Sequence, residues 1–265
     1  GDLRVVTRVR GRLGSGRFQT GDLMLALRLL RHSILQLTGN LGAALTLSVM
    51  PAVAVAAAGA VWWNTMLAMG STQGVTGQAA VLHLALMIIV VLAFVSLAAS
   101  WHRFVLLEER PRLLRPIGRP EWRYVGASVR LTLILILVGI PVLLLGGAVM
   151  IAFDGSVGAE MLLNLVIGFA FAVLGLRLGT GLAGAATGAA RPLTTGWRAT
   201  GHALGTLAVL SLLTQVLGLA LNLAARLPGA AGIAAALLVA WFTAMLSLSI
   251  ITTLWGHFVE GRALR

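Results

Sequence analysis

Six uninterrupted apolar runs, each about as long as a bilayer is thick, constrain the fold of this chain more than any other feature. A helix needs about 20 apolar residues to cross the hydrocarbon core of a membrane. The runs cover residues 41–63, 79–101, 131–153, 161–179, 203–223 and 232–255. Because they are long and continuous rather than short and alternating, they predict transmembrane helices and not the strands of a membrane barrel. We therefore expect an all-α integral membrane protein whose six helices form three hairpins.

The composition of the 265 residues agrees with a membrane protein. Hydrophobic residues make up 58% of the chain, charged residues 11%, and the mean hydropathy is +0.96. A soluble globular protein has about 45–50% apolar and about 25% charged residues, so an ordinary soluble domain and a disordered chain are both excluded. Cysteine is absent, which excludes disulfides, thiol nucleophiles and zinc sites built on cysteine.

The positions of the arginines predict the orientation in the membrane. All 20 basic residues are arginine, and 18 of them fall in the N-terminal stretch, between runs two and three, between runs four and five, or in the C-terminal tail. Arg226 alone lies on the opposite side, and Arg177 lies inside a run. Since positively charged loops stay in the cytoplasm, we expect both termini on the cytoplasmic side.

Residues 1–40 are predicted to be a basic cytoplasmic arm followed by an interfacial helix, ahead of a transmembrane domain at 41–265. The helix covers residues 22–38, with Asp22 as its N-cap. One polar stripe at helical spacing holds Arg28, Arg31, His32 and Gln36. An amphipathic helix of this kind lies in the headgroup plane. One long bent helix, continuous with the first span, is the alternative.

The stretch from His102 to Arg130 predicts a fixed crossover along the membrane surface. It contains three Arg-Pro pairs, at 110–111, 115–116 and 119–120, and proline stops a helix from continuing. Arginines here and on the N-terminal helix are expected to contact anionic lipid headgroups or an acidic partner, with each contributing about 1 kcal/mol near an anionic leaflet. Those arginines are Arg28, Arg31, Arg103, Arg110, Arg112, Arg115, Arg119 and Arg123. Few aromatic residues accompany them, so nucleic acid is not an expected partner.

Five amide, imidazole or charged side chains fall inside the apolar runs, and each has a structural and a functional interpretation. They are His83, Asn164, Arg177, Gln215 and Asn222. The structural interpretation makes the histidine a packing residue, places the guanidinium at the membrane surface, and lets the amides hydrogen-bond between helices. The functional interpretation has the amides line a cavity, the histidine relay protons, and Arg177 bind an anion together with Arg191 and Arg198.

Catalytic motifs are missing from the sequence, and no enzyme, metal or cofactor is predicted. Glycines at small-xxx-small spacing, at 175/179, 184/188 and 201/205, predict close helix packing. The Gly-rich stretch 179–190 lacks the lysine and the spacing of a phosphate-binding loop. An enzyme would instead require His102, His257 and Glu108 to converge within hydrogen-bonding distance.

Three segments carry a resemblance to a known group of proteins. The segment SWHRFVLLEERP at 100–111, the segment HSILQLTGNLGAALTLSVMP at 32–51 and the segment PLTTGWRATG at 192–201 resemble uncharacterised six-span inner-membrane proteins of alphaproteobacteria, especially Rhodobacter-type bacteria. The last segment is also similar to the membrane domain of some bacterial glycerophosphodiester phosphodiesterases. The resemblance implies a bacterial inner-membrane protein, and it brings no catalytic residues.

These observations predict a non-catalytic accessory, scaffold or assembly protein of a larger inner-membrane complex, respiratory or photosynthetic in such an organism. Its partners would be other membrane subunits and anionic lipids. The alternative is a permease or a lipid-handling protein. A permease predicts a cavity near the middle of the membrane lined by the intramembrane polar groups. An accessory subunit predicts that those groups are paired in a closed core, beneath an apolar outer face that another protein covers.

Overall fold

A computed structural model describes residues 20–69, 77–113, 118–154, 156–224 and 226–264. Within these residues the chain forms eight α-helices and no strand. The helices are α1 (Thr20–Thr38), α2 (Leu41–Met69), α3 (Gly77–Leu107), α4 (Arg119–Ala152), α5 (Val157–Thr187), α6 (Pro192–Ala199), α7 (Leu204–Ala224) and α8 (Gly229–Phe258). A single 3-10 turn, Gly201–Ala203, precedes α7. Residues 1–19, to which the basic arm was assigned, lie outside the described residues.

Six of the described helices are long and apolar enough to cross a membrane, namely α2, α3, α4, α5, α7 and α8. The predicted all-α, six-span membrane protein is therefore confirmed. Several of these helices extend beyond the predicted spans. An apolar run marks only the part of a helix that lies in the hydrocarbon core, and the helix can continue past it on either side. We call the end of the bundle at which α3 and α8 finish and α4 and α7 begin the Arg-rich end.

The expected crossover from His102 to Arg130 is much shorter in the structure, which corrects the prediction. Helix α3 continues to Leu107 and α4 already begins at Arg119, so only residues 108–118 connect them. Pro120 lies in the first turn of α4, where its missing N–H costs nothing. The Glu121 carboxylate accepts a hydrogen bond from the Gly118 N–H at 2.8 Å. The third Arg-Pro pair therefore starts a helix and does not interrupt one.

Helix α1 is separate from α2, because Gly39 and Asn40 form a turn between them. It begins at Thr20, so the prediction that Asp22 caps its N-terminus is wrong. One face of α1 packs against α7 and α8. That face is fully buried and consists of Ala26, Leu29, Ser33 and Leu37. The arginines of the helix lie on the exposed side.

The buried core lies at the Arg-rich end. One cluster joins the buried face of α1 to Leu207 and Leu210 of α7, the Met245–Leu254 part of α8, and Leu97 and Trp101 of α3. Helices α2 and α3 pack as a hairpin, and so do α4 and α5. The third predicted hairpin is looser, because α7 and α8 each pack more extensively on α1 than on one another. Thus α1 packs into the core through one face, while its other side stays exposed.

Away from this end, the spans present large apolar side chains outward. Leu137 and Leu144 of α4 are more than 70% exposed, and Ile151 is 81% exposed. Such surface is stable only against lipid or another membrane protein. The bundle is therefore tightly packed at one end and open to its surroundings over the rest of its length.

Glycines bring α5 close to two other helices. A Cβ at Gly184 would overlap the ring of Trp255 on α8. A Cβ at Gly181 would lie 2.6 Å from the Leu193 Cα of α6. The left-handed φ of +90° at Gly188 ends α5 directly after these contacts. The predicted role of glycine in close packing thus holds for this part of α5, whereas Gly175 has open space around it.

Candidate functional site

The connection between α3 and α4 forms one wall of a polar cavity at the Arg-rich end. The cavity has a volume of about 450 Å³ and reaches Leu47 of α2 and Ser100 of α3. Arg110 and Arg112 line it and are exposed. Neither guanidinium makes a hydrogen bond or an ion pair with another described residue. The cavity therefore holds two cations that are available to a ligand.

Two carboxylates also line this cavity, and both are engaged. Glu109 forms an ion pair with Arg103 of α3, whose Nε donates to Glu109 Oε2 at 2.9 Å. Arg103 donates as well to the carbonyl of Ala186 at the end of α5, at 3.0 Å. Glu121 is 1% exposed and accepts the hydrogen bond at the start of α4. The two carboxylates thus tie Glu109 to α3 and Gly118 to α4.

An apolar groove continues from the polar cavity into the membrane. It has a volume of about 280 Å³ and runs between α2 and α3, past Met50, Pro51, Ile89 and Leu92. Leu47, Ser100 and Arg112 line both spaces. The two spaces therefore form one continuous recess, cationic at the Arg-rich end and apolar toward the middle of the membrane.

Hydroxyl and imidazole groups join helices in the closed core behind this recess. His102 of α3 is fully buried, and its Nδ1 lies 2.7 Å from Thr252 Oγ1 of α8. Its ring lies against Tyr124 of α4, with 5.7 Å between ring centroids. On the other side of α8, Thr253 accepts from Ser33 at 3.0 Å and donates to Gln36 at 3.1 Å. These bonds tie α1, α3 and α8 together.

The carboxylate of Asp22 makes a further long-range contact. Its Oδ1 accepts a hydrogen bond of 2.7 Å from Thr206 Oγ1 in the first turn of α7. The same carboxylate lies against Gly205, where a Cβ would come within 2.5 Å of it. A negative charge at a helix N-terminus is favourable. Asp22 therefore holds α1 against α7, which the sequence analysis missed because the two residues are far apart in the chain.

The arginines that were predicted to contact lipid or a partner have different surroundings in the structure. Arg28 and Arg31 are exposed on α1, and Arg119 and Arg123 are exposed at the start of α4. Arg103 is committed to its ion pair. Arg115 lies outside the described residues. Arg110 and Arg112 alone among the predicted set line the recess that the described part of the chain forms.

Arg177 of α5 contacts Trp197 of α6. Its guanidinium carbon lies 3.6 Å from the ring centre of Trp197 on α6, and Nη2 donates to the Trp197 carbonyl at 3.1 Å. Arg191 and Arg198 are exposed and make no contact with it. The cation–π stack holds α6 against α5, and these contacts agree with the structural interpretation of Arg177.

The intramembrane amides bond neither across helices nor into a described cavity. Gln215 is exposed on α7 and reaches only the carbonyl of Ser211, at 3.4 Å. Asn222, also exposed, donates to the Gly218 carbonyl of its own helix. Asn164 is exposed on α5 and has no partner among the described residues. The expectation that these amides pair in a closed core is wrong.

His83 has local partners. Its Nδ1 lies 2.6 Å from the carbonyl of Ala79, one turn earlier, and its ring meets Trp62 edge-on at 5.7 Å. The contact with Trp62 joins α3 to α2 near the opposite end of the bundle. These contacts agree with the packing interpretation.

The groups that an enzyme would bring together have separate surroundings. His102 bonds to Thr252 in the core, whereas His257 Nδ1 lies 3.1 Å from the carbonyl of Arg262. Glu108 is exposed beyond the end of α3. No three metal-ligating side chains cluster within the described residues. The described geometry gives no support to a catalytic constellation.

No family model, curated protein or solved structure matches this chain. The resemblance to alphaproteobacterial inner-membrane proteins thus stays a prediction, and the geometry alone carries the functional argument.

Proposed function

We propose that this protein is a non-catalytic accessory or scaffold subunit that binds another membrane protein within a larger complex. We place it in a bacterial inner membrane with the Arg-rich end toward the cytoplasm, as the arginine asymmetry favours. The support comes from the outward side of α7.

The outward side of α7 carries amides within an apolar stripe. Its exposed residues recur at helical spacing, which makes them one continuous surface. We call this surface the α7 face; it consists of Leu212, Gln215, Val216, Leu219, Asn222 and Leu223. The two amides are seven residues apart and therefore lie two turns from one another on the same side. This spacing matches a seam against a partner helix.

The hydrogen bonding of these amides favours a protein partner over lipid. The side-chain carbonyls of Gln215 and Asn222 accept no hydrogen bond from a described residue, and the bond from Gln215 Nε2 is long. Lipid tails offer no donor, whereas an amide or hydroxyl on a neighbouring helix does. A hydrogen bond of this kind between membrane helices contributes about 0.6–2 kcal/mol. The side-chain carbonyl of Gln215, half-way along α7, accepts no hydrogen bond from a described residue, and this observation carries the proposal.

The three described cavities give no support to the permease alternative, and the exposed amides also depart from the closed core that an accessory subunit was expected to have. A transport route needs polar groups facing a space within the membrane. None of the three cavities described in this structure is lined by His83, Asn164, Gln215 or Asn222. The intramembrane polar groups instead face outward or bond to their own helix.

The test is extraction from native membranes in a mild detergent, followed by native electrophoresis and mass spectrometry. We expect the wild-type chain to migrate with a larger complex in fixed stoichiometry. Replacing Gln215 and Asn222 together by Leu should release it from that complex. The matched control is Asn164→Leu, which removes an exposed amide from α5 and should leave the complex intact.

Two results would overturn the proposal. Migration of the wild-type chain alone, or only with copies of itself, would remove the accessory role and favour the permease. Release of the chain by Asn164→Leu to the same extent would show that the effect does not come from the α7 face.

A further inference from the structure

We propose that the recess between α2, α3 and residues 108–113 is a binding site for one anionic phospholipid. The phosphate would lie beside Arg110 and Arg112 in the polar cavity, and an acyl chain would follow the apolar groove between the two helices. This site is independent of the α7 face and of any partner protein.

The shape of the recess matches an amphiphile. A polar space of about 450 Å³ joins an apolar space of about 280 Å³, and they share Leu47, Ser100 and Arg112. The groove follows α3 from Ile89 to Ser100, about 16 Å at the rise of an α-helix. A soluble anion would occupy the cavity and leave this apolar length unfilled, whereas a lipid would fill both.

The polar groups are distributed as a phospholipid headgroup requires. The guanidinium groups of Arg110 and Arg112 bind phosphate through several N–H donors, and both are unpaired within the described residues. The hydroxyl of Ser100 lies where the polar and apolar spaces meet and has no hydrogen-bond partner among the described residues. That is the level at which a lipid has its glycerol and ester oxygens.

The charges of the described lining residues favour an anion. Glu109 is paired with Arg103, which leaves the Glu121 carboxylate facing the two cations of Arg110 and Arg112. The position of the site along the bundle also suits a lipid headgroup, because Ser100 lies about 10 Å before the end of α3 at Leu107. The arginines therefore lie at headgroup level when α3 spans the bilayer.

Native mass spectrometry of the purified full chain tests the site, with phosphatidylglycerol and phosphatidylcholine of identical acyl chains as probes. We expect one phosphatidylglycerol to be retained in preference to phosphatidylcholine. Changing Arg110 and Arg112 together to Gln should weaken this retention by about tenfold or more, since each arginine near a membrane surface contributes severalfold to anionic lipid binding. The control is the double change of Arg28 and Arg31 to Gln, which removes the same charge from exposed positions on α1 and should have little effect.

A second variant tests the apolar part. Ala93→Phe fills the groove and should lower retention severalfold with both arginines in place. Ala85→Phe adds the same ring to an exposed position of α3 outside the groove and should not. Both variants keep the charge and the buried core, so binding can be compared in folded protein.

The outcomes separate the possible ligands. If glycerol phosphate without acyl chains displaces phosphatidylglycerol at equal concentration, the site binds a soluble anion and the lipid proposal is wrong. If phosphatidylcholine is retained equally, the recess does not select an anionic headgroup and the proposal is wrong. If the Arg28/Arg31 variant loses as much lipid as the Arg110/Arg112 variant, the contact is general surface attraction and the site does not exist.

Discussion

The close approach of α5 to α8 leads to a quantitative prediction about Gly184. An alanine Cβ at this position would overlap the six-membered ring of Trp255. The ring is 3% exposed, and its Nε1 donates to Glu260 at 2.8 Å, so it has little freedom to turn away. Overfilling a packed core of this kind costs about 1–3 kcal/mol.

The matched control lies on the same helix. A Cβ at Gly175 meets nothing within 4 Å. Replacing glycine by alanine inside a helix gains about 1 kcal/mol from backbone propensity at either position. Because this gain is shared, the difference in unfolding free energy between Gly184→Ala and Gly175→Ala isolates the overlap, and we expect it to be about 1–3 kcal/mol.

The assay is reversible unfolding in mixed micelles of a mild detergent and dodecyl sulfate, followed by tryptophan fluorescence. Gly175→Ala should be neutral or stabilising, and Gly184→Ala should unfold at a lower fraction of dodecyl sulfate. A double-mutant cycle with Trp255→Leu completes the test, because the smaller side chain should relieve most of the cost of Gly184→Ala. Equal stability of the two alanine variants, within about 0.5 kcal/mol, would refute the argument that α5 and α8 pack through this glycine.

Three further contacts give predictions of the same kind. Thr252→Val removes the hydroxyl that meets the buried His102 and should lower stability by about 0.6–2 kcal/mol in the same titration; an unchanged midpoint would mean that this bond contributes nothing. Asp22→Ala removes the partner of Thr206, so α1 should detach more often and trypsin should cut faster after its exposed arginines; an unchanged cleavage rate would contradict this. Arg262→Gln removes the donor to the last carbonyls of α3, and amide hydrogen exchange there should accelerate while the exchange of α5 stays constant.

The sequence locates the six membrane helices because hydropathy over 20 residues depends only on local composition. It does not locate their ends, since arginine and proline are compatible with a first helical turn. Arg119 and Pro120 look like part of a loop by composition, yet they begin α4. The presence of each membrane helix could thus be predicted, whereas the start of α4 depended on the hydrogen bond between the Gly118 N–H and Glu121.

The candidate sites were less predictable. The carboxylate of Asp22 and the hydroxyl of Thr206 are separated by 184 positions, and no periodicity links positions so distant. Gln215 is exposed because of the way α7 is rotated about its axis against α1. The sequence does not determine this rotation, since apolar residues occur on all sides of the helix. The lipid recess could be predicted in part, because Arg110 and Arg112 were already expected to contact headgroups.

The position of α1 between α7 and α8 has a consequence for biosynthesis. The partners of Asp22 and Ser33 lie on α7 and α8. During translation α1 is made well before these two helices and lacks their contacts until each has been inserted. The Arg-rich end is therefore incomplete until α8 is in place. A chain that stops before α8 would keep its early hairpins and expose α1, which gives quality-control proteases a means of distinguishing finished from unfinished molecules.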